Sequence, residues 1–276
     1  MDIITSVTAL RERLQREPNN VFVPTMGNLH EGHIGLIRIG KPKAACTVVS
    51  IFVNRLQFGP KEDFERYPRT FQTDCNKLMN AGVDVVFAPD EKEIYPEPQT
   101  FTVEPSELQH VLDGGFRPGH FRGVATVVLK LFNMVMPHAA IFGKKDFQQY
   151  LVLRDMVRQL ALPVEIIPAE TVRAADGLAL SSRNGYLSAP ERVEAPRLYS
   201  LLKGAKERIG KGEHNYQRIE LESMALLSQH GWAPQYISVR RRADLQQPSA
   251  ADRELVVLAA AYLGKTRLID NIEITR

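Results

Sequence analysis

The stretch Val21-Phe22-Val23-Pro24-Thr25-Met26-Gly27-Asn28-Leu29-His30-Glu31-Gly32-His33, continuing as Ile34-Gly35-Leu36-Ile37-Arg38-Ile39, decides how the chain is read. Its first three residues are an apolar run of the kind that fills a buried parallel strand. Residues 32–39 carry apolar side chains at helical spacing, so a strand is expected to pass directly into a helix. Two histidines flanking a glycine then fall at that junction, where they read either as a helix cap or surface feature or as ligand contacts. Unpaired backbone N–H groups and the helix dipole favour an anion there. Gly32, lacking a side chain, lets a flat ring or a phosphate approach the backbone. A metal site is the weaker reading, because a zinc pair needs further ligands and no Cys or His cluster adjoins these two.

The same alternation extends outward. Strand-like runs at 47–53, 83–88, 139–142 and 164–167 alternate with helical spacings at 71–81, 123–136 and 147–160. This predicts an α/β protein with a Rossmann-like, doubly wound parallel sheet, its ligand at the carboxyl ends of strands near the topological switch point. After about Tyr186 the pattern changes. Helical stretches at 189–209 and 216–228 precede strand-like runs at 235–239, 254–261 and 266–274, as in a smaller carboxyl-terminal α+β domain. The expected division is 1–186 and 187–276.

Composition bounds the partners. Thirty-five Lys and Arg against 32 Asp and Glu give a net charge of +3 over 276 residues, which demands neither nucleic acid nor a membrane surface. Two cysteines without CxxC spacing exclude a disulfide framework and fit a reducing cytoplasm. No apolar run reaches the ~18 residues of a membrane span, and Met1-Asp2-Ile3-Ile4 lacks the basic-then-apolar pattern of a leader. A soluble cytoplasmic protein is expected.

Other segments carry chemistry. Phe52-Val53-Asn54-Arg55-Leu56-Gln57-Phe58-Gly59-Pro60 leaves a strand with two neutral amides, Asn54 and Gln57, suited to hydroxyls or a carboxylate, or simply to a polar loop. Residues 117–123, Arg-Pro-Gly-His-Phe-Arg-Gly, read as an anion-facing or a solvated loop. In Ile141-Phe142-Gly143-Lys144-Lys145-Asp146-Phe147-Gln148-Gln149 a buried strand meets two lysines and an aspartate that open a helix. The lysines suit phosphates and Asp146 suits ribose hydroxyls or a helix cap. Leu178-Ala179-Leu180-Ser181-Ser182-Arg183 sets two hydroxyls and a guanidinium behind an apolar run, which suits a grip on a triphosphate or an ordinary loop. Gly264-Lys265-Thr266 mimics the end of a P-loop, but Ala259 occupies the required glycine position and the run lies between two strands. Arg240-Arg241-Arg242 reads as a solvated strand end.

His-x-Gly-His, here residues 30–33, resembles the motif of nucleotidyl-transferring enzymes that bind ATP without a P-loop. Together with 50–59, Tyr67-Pro68-Arg69-Thr70, 117–123, 143–149 and 180–184, in order and spacing, the chain resembles the pantothenate synthetase family of pantoate–β-alanine ligases. The resemblance covers most of 1–190 and continues more loosely beyond. Arg55 stands where the family usually has proline, Leu180 where methionine is common, and Lys144 where glutamate is frequent. None of these removes a group the chemistry needs.

The resemblance implies an ATP-binding Rossmann-like domain, a carboxyl-terminal lid, a homodimer, and joining of pantoate to β-alanine using ATP and Mg2+. It implies ATP contacts from Met26, Gly27, Asn28, Leu29, His30, Glu31, Gly32 and His33. Further ATP contacts are implied for Gly143, Lys144, Lys145, Asp146, Val172, Leu180, Ser181, Ser182 and Arg183. His30, His33, Lys145 and Arg183 are the implied catalytic cations and donors, Gln57 and Gln149 the pantoate ligands, with Gln57 also near β-alanine. The metal ligands are left unassigned. Two rivals are a nucleotidyltransferase making a dinucleotide or CDP-alcohol, and a nonenzymatic ATP sensor. The first needs a second nucleotide or phosphate site, whereas the paired amides Gln57 and Gln149 suit a small hydroxy acid. The second would tolerate loss of the cations, yet all are present.

Overall fold

A computed structural model describes residues 1–60 and 62–276. Two compact units emerge, Met1–Lys144 with Val152–Glu170, and Lys145–Leu151 with Thr171–Arg276. In chain order the first unit holds β1 (Asp2–Ile4), α1 (Val7–Leu14), β2 (Asn20–Thr25), α2 (Glu31–Gly40), β3 (Cys46–Ile51), α3 (Phe71–Asn80) and β4 (Val85–Phe87). It continues through α4 (Glu91–Ile94), α5 (Asp113–Phe116), α6 (His120–Val135), β5 (Ala139–Gly143), the later part of α7 (Phe147–Gln159) and β6 (Glu165–Ala169).

All six strands run parallel in the order β1-β4-β3-β2-β5-β6. The chain leaves β2 toward β3 and β4, then returns to β5 on the other side of β2. The switch point therefore lies between the carboxyl ends of β2 and β5, where such sheets bind ligands. Period-two alternation turns Val21 and Val23 toward the cluster that contains Ile34, Ile37 and Leu78. Phe22 points the other way and meets Phe132 edge-on, with 6.4 Å between ring centroids. Helices thus cover both faces, and the Rossmann-like expectation holds.

The second unit contains α8 (Ala189–Glu194), α9 (Arg197–Gly210), α10 (Tyr216–Gln229) and an antiparallel sheet of β7 (Trp232–Arg241), β8 (Glu254–Leu263) and β9 (Thr266–Thr275). Leu198, Leu202, Ala205 and Ile209, a helical stripe on α9, pack with Val257, Ala259 and Leu268. Gly264-Lys265 is the two-residue turn joining β8 to β9. The P-loop mimic is a hairpin.

Two expectations shift in detail. The helix expected over 189–209 is split by Pro196, whose missing N–H and ring disfavour a continuous ladder. The helix expected from 123 begins at His120, following Gly119 with φ +81°. The edge strand β1 is too short for periodicity to show, whereas α1, also unexpected, carried a readable signal, Ser6 as N-cap with Leu10 and Leu14 one turn apart. Among the described residues no helix is long and apolar enough to cross a membrane.

Candidate active site

At the end of β2, Thr25 donates from Oγ1 to the Ser50 carbonyl at 2.6 Å and accepts from the Gly27 N–H at 3.2 Å. Gly27 and Asn28 then take left-handed conformations, with φ +81° and +49°, and turn the chain into α2. A side chain at Gly27 would press on Ile51 and on the Asp74 carboxylate, so the position suits glycine twice over.

Asp74, fully buried on α3, holds this loop in shape. Its Oδ2 accepts from the Asn28 N–H at 2.9 Å and from the Thr70 hydroxyl at 3.0 Å, and its Oδ1 accepts from the Leu29 N–H at 2.8 Å. One turn on, Lys77 Nζ donates to the Leu29 carbonyl at 2.5 Å. The Leu29 side chain lies in the core. A signal for Asp74 existed: it lies beside Cys75 and one turn before Leu78, a charge on the buried stripe of a helix, where an unpaired carboxylate would be costly.

The two histidines cap α2 reciprocally. His30 is the N-cap, and its Nδ1 accepts from the Gly32 N–H at 3.1 Å. His33, three positions on, accepts from the His30 N–H through its own Nδ1 at 3.2 Å. Imidazoles here replace the serine and glutamate of an ordinary capping box. With both Nδ1 atoms accepting, the proton of each neutral ring sits on Nε2. Two ring N–H donors, their centroids 4.1 Å apart, are thereby set at the positive end of a helix. Glu31 is exposed and pairs with Arg38 at 3.5 Å.

Beyond β3, Asn54 is buried and its amide is engaged internally. Its Nδ2 donates to Gln57 Oε1 at 3.1 Å and to the Gly123 carbonyl at 3.2 Å, while its Oδ1 accepts from the Tyr95 hydroxyl at 2.8 Å. Gln57 Nε2 reaches Met26 Sδ at 3.1 Å, so this amide is brought to the first residue of the His loop. Asn54 is a support, whereas its sequence also allowed a direct ligand.

The 117–123 segment is likewise a support for Gln57. Glu62 receives Arg117 through two bonds of 2.6 and 2.7 Å. Arg117 Nη1 lies 2.9 Å from His120 Nε2, and His120 Nδ1 lies 2.8 Å from the Gln57 carbonyl. Because guanidinium only donates, Nε2 accepts and Nδ1–H donates to the carbonyl. Burial, then the adjacent Arg117 charge, pushes His120 down to about 4, so the ring stays neutral at physiological pH. Burial raises the Glu62 carboxyl, but Arg117 outweighs it and holds the group below its ordinary value. Gly123 packs so closely that an added Cβ would lie 2.1 Å from the Leu56 carbonyl oxygen.

Arg55 lies over the Phe64 ring at 4.1 Å and pairs with Glu91 at 3.2 Å. Gly143 ends β5 at the switch point, and Lys144 Nζ lies 2.5 Å from Glu170 Oε1. The positive charge introduced at 144 is therefore matched by a carboxylate. Cys46 and Cys75 are free and buried, and burial pushes the Cys46 thiol up to about 11, which rules it out as a nucleophile near neutrality.

Within the second unit, Val172 and Leu180 belong to a short hairpin and residues 181–183 follow directly from it. The Leu180 N–H donates to the Val172 carbonyl at 3.0 Å, and Arg173 pairs antiparallel with Ala179. Ser181 caps the following 3-10 turn, accepting from the Arg183 N–H at 3.2 Å. Lys145 Nζ lies 3.8 Å from Asp146 Oδ2, and Gln149 is half-buried in the first turn of α7. Asp270, which binds Arg173 of the hairpin, and Asn271, which binds the Lys145 carbonyl, were not anticipated. The readable signal was Asp270 interrupting the apolar alternation of Leu268, Ile272 and Ile274.

A family model described as pantoate-beta-alanine ligase matches residues 2–273. Pantothenate synthetases of Nitrosospira multiformis and Laribacter hongkongensis are 55% and 56% identical over 275 and 277 residues, covering all of this chain and 99% and 100% of theirs. The crystal structure of pantothenate synthetase from Thermus thermophilus superposes with a TM-score of 0.95 at 42% identity, over 100% of both chains. Pantoate-beta-alanine ligase from Francisella tularensis, complexed with beta-gamma ATP and beta-alanine, matches at a TM-score of 0.84 and 34% identity, over 99% of this chain and 97% of that one. With its fold, its motifs and nearly its whole length in agreement, the chain belongs to the pantoate-beta-alanine ligase family.

Proposed function

We propose that the protein condenses pantoate with β-alanine to give pantothenate, using ATP and passing through a pantoyl adenylate. The observation that carries this reading is the reciprocal imidazole cap, which presents two Nε2–H donors at a helix N-terminus on the sheet's switch point.

A carboxylate is a poor acyl donor because its leaving group would be oxide. In the first step a pantoate carboxylate oxygen attacks the α-phosphorus of ATP, and the bond to diphosphate breaks. In the second, the β-alanine amine attacks the acyl carbon, the bond to AMP oxygen breaks, and the amine loses a proton as the amide forms. Neither step needs a protein nucleophile. Catalysis is positioning and neutralisation of phosphate charge, which we assign to His30, His33, Lys145 and Arg183. Removing one such donor typically costs about 10²–10³ in rate.

Met26–Gly32, Gly143, Lys144 and Asp146 complete the ATP contacts in this reading, with Val172 against the adenine and Leu180, Ser181 and Ser182 clasping the triphosphate beside Arg183. Leu29 takes part by shaping the loop, since its N–H is held by Asp74, its carbonyl by Lys77, and its side chain by the core. Gln57 and Gln149 hold pantoate, and Gln57 also meets β-alanine. The internal bonds that orient Gln57 support its assignment, since a preset amide loses little freedom on binding. Residues 187–276 are assigned the exclusion of water, which protects the adenylate from hydrolysis.

Among the described residues no group of three or more His, Cys, Asp or Glu could hold a metal ion. Mg2+ entering on the triphosphate fits that finding, because its ligands are mostly phosphate oxygens and water. A homodimer and a cytoplasmic location belong to the same reading and rest on the family resemblance. The test is isotope transfer. Pantoate labelled with 18O in its carboxylate should deliver one labelled oxygen to AMP, and unlabelled AMP would exclude the acyl adenylate.

A further inference from the structure

Two consecutive residues of β9 hold the two cation-bearing segments of the second unit. Asp270, 5% exposed, receives both terminal nitrogens of Arg173, at 2.6 and 2.8 Å. Arg173 also lies 3.5 Å over the Tyr199 ring and donates to the carbonyls of Gly177 and Asn271, each at 3.2 Å. This fixes the hairpin over 172–180, whose second arm runs straight into 181–183. Asn271, 6% exposed, donates from Nδ2 to the Lys145 carbonyl at 2.9 Å. Its own N–H donates to Asp270 at 2.8 Å.

Packing alone does not ask for these residues. Position 270 shares a strand face with Leu268, Ile272 and Ile274, where an apolar residue would fill the space. A buried carboxylate there must be compensated by its full set of bonds, and such pairs are better at fixing one geometry than at adding stability. The geometry fixed is that of the main chain at Lys145 and at the approach to Arg183.

We infer that Asn271 and Asp270 are positioning residues for the adenylation step. Asn271 sets the main chain from which Lys145 extends, and Asp270, acting through Arg173, sets residues 181–183. One strand thus presents both cations. The inference rests on the assignment of Lys145 and Arg183 to the phosphates.

Double-mutant cycles test it, read as pantoate-dependent exchange of diphosphate into ATP without β-alanine, on variants whose melting temperature stays within ~3 °C of the parent. Asn271→Ala is expected to lower the exchange rate at saturation by about 10–100-fold, the usual effect of a misplaced catalytic group. Asn271→Asp, which keeps the shape but turns the donor into an acceptor, should do the same. In a Lys145→Ala background either change should add less than ~twofold, whereas combined with Arg183→Ala it should multiply. Arg173→Lys, which loses the two-pronged contact, should show the opposite pattern. Full multiplication of Asn271→Ala with Lys145→Ala, or an unchanged rate in Asn271→Ala alone, would overturn the inference. An unchanged rate in Lys145→Ala would instead overturn the assignment on which it rests.

Discussion

Asp74→Asn keeps the shape of a side chain that touches no substrate in this account and removes its charge. Three donors converge on the native carboxylate: the N–H groups of Asn28 and Leu29 and the hydroxyl of Thr70. An amide offers one oxygen. With that oxygen facing Leu29, its NH2 faces Asn28 and Thr70. The hydroxyl can turn to accept, but the Asn28 N–H cannot. One charge-assisted bond is lost and a second becomes neutral, a combined cost of roughly 3 kcal/mol. The loop bearing this cost holds Gly27 and Asn28 in left-handed backbone and decides where α2 begins, so it sets both imidazoles. About 1.4 kcal/mol corresponds to a tenfold rate change, so kcat/KM for ATP should fall about 10²-fold. Steady-state AMP release at varied ATP, with both organic substrates saturating, reads this directly. A folded Asp74→Asn protein with unchanged kcat/KM for ATP would show that Asp74 does not set the position of the imidazoles.

Three further outcomes are expected. His120 is held neutral down to about 4, against an ordinary value of 6.5; the unfolded chain therefore binds its proton first. The corresponding stability is complete above pH 6.5 and is lost as pH falls toward 4, about 3 kcal/mol in all. Urea unfolding at pH 7 and pH 4.5 should show this loss in the parent and a clearly smaller one in His120→Asn. Gly123→Ala would drive a methyl into the Leu56 carbonyl and the Gln57 N–H, an overpacking cost of about 1–3 kcal/mol. That should raise the KM for pantoate more than the KM for ATP in initial-rate measurements. His30→Ala removes the N-cap of α2 and should cost about 1 kcal/mol in chemical denaturation, together with about 10²–10³ in the rate of adenylate formation.

The parallel sheet was legible because its central strands are continuous apolar runs and the intervening helices carry a clear 3.6-residue period. The His loop was legible for a related reason: a strand passing into a helix leaves few places for its two imidazoles. Their mutual capping was not, because no sequence rule pairs a histidine with the third residue of the following turn as it pairs serine with glutamate. Asp74, His120 and Asp270 lie beyond short-range reading altogether. Each acts on a segment far away in sequence, respectively residues 28–29, 57 and 173. What the sequence displays is only that a polar or charged group stands where an apolar one would pack. The segment 145–151 groups with residues 171–276 through contacts such as Asn271 to Lys145, again invisible to any local window.

The central claim, that this chain activates pantoate with ATP for attack by β-alanine, is tested most directly by AMP formation with each component omitted in turn. Rapid AMP and pantothenate formation is expected only with ATP, pantoate and β-alanine together. That rate should collapse in His33→Ala and Lys145→Ala. Undiminished AMP release without pantoate, or diphosphate release driven instead by a phosphorylated acceptor, would contradict the claim.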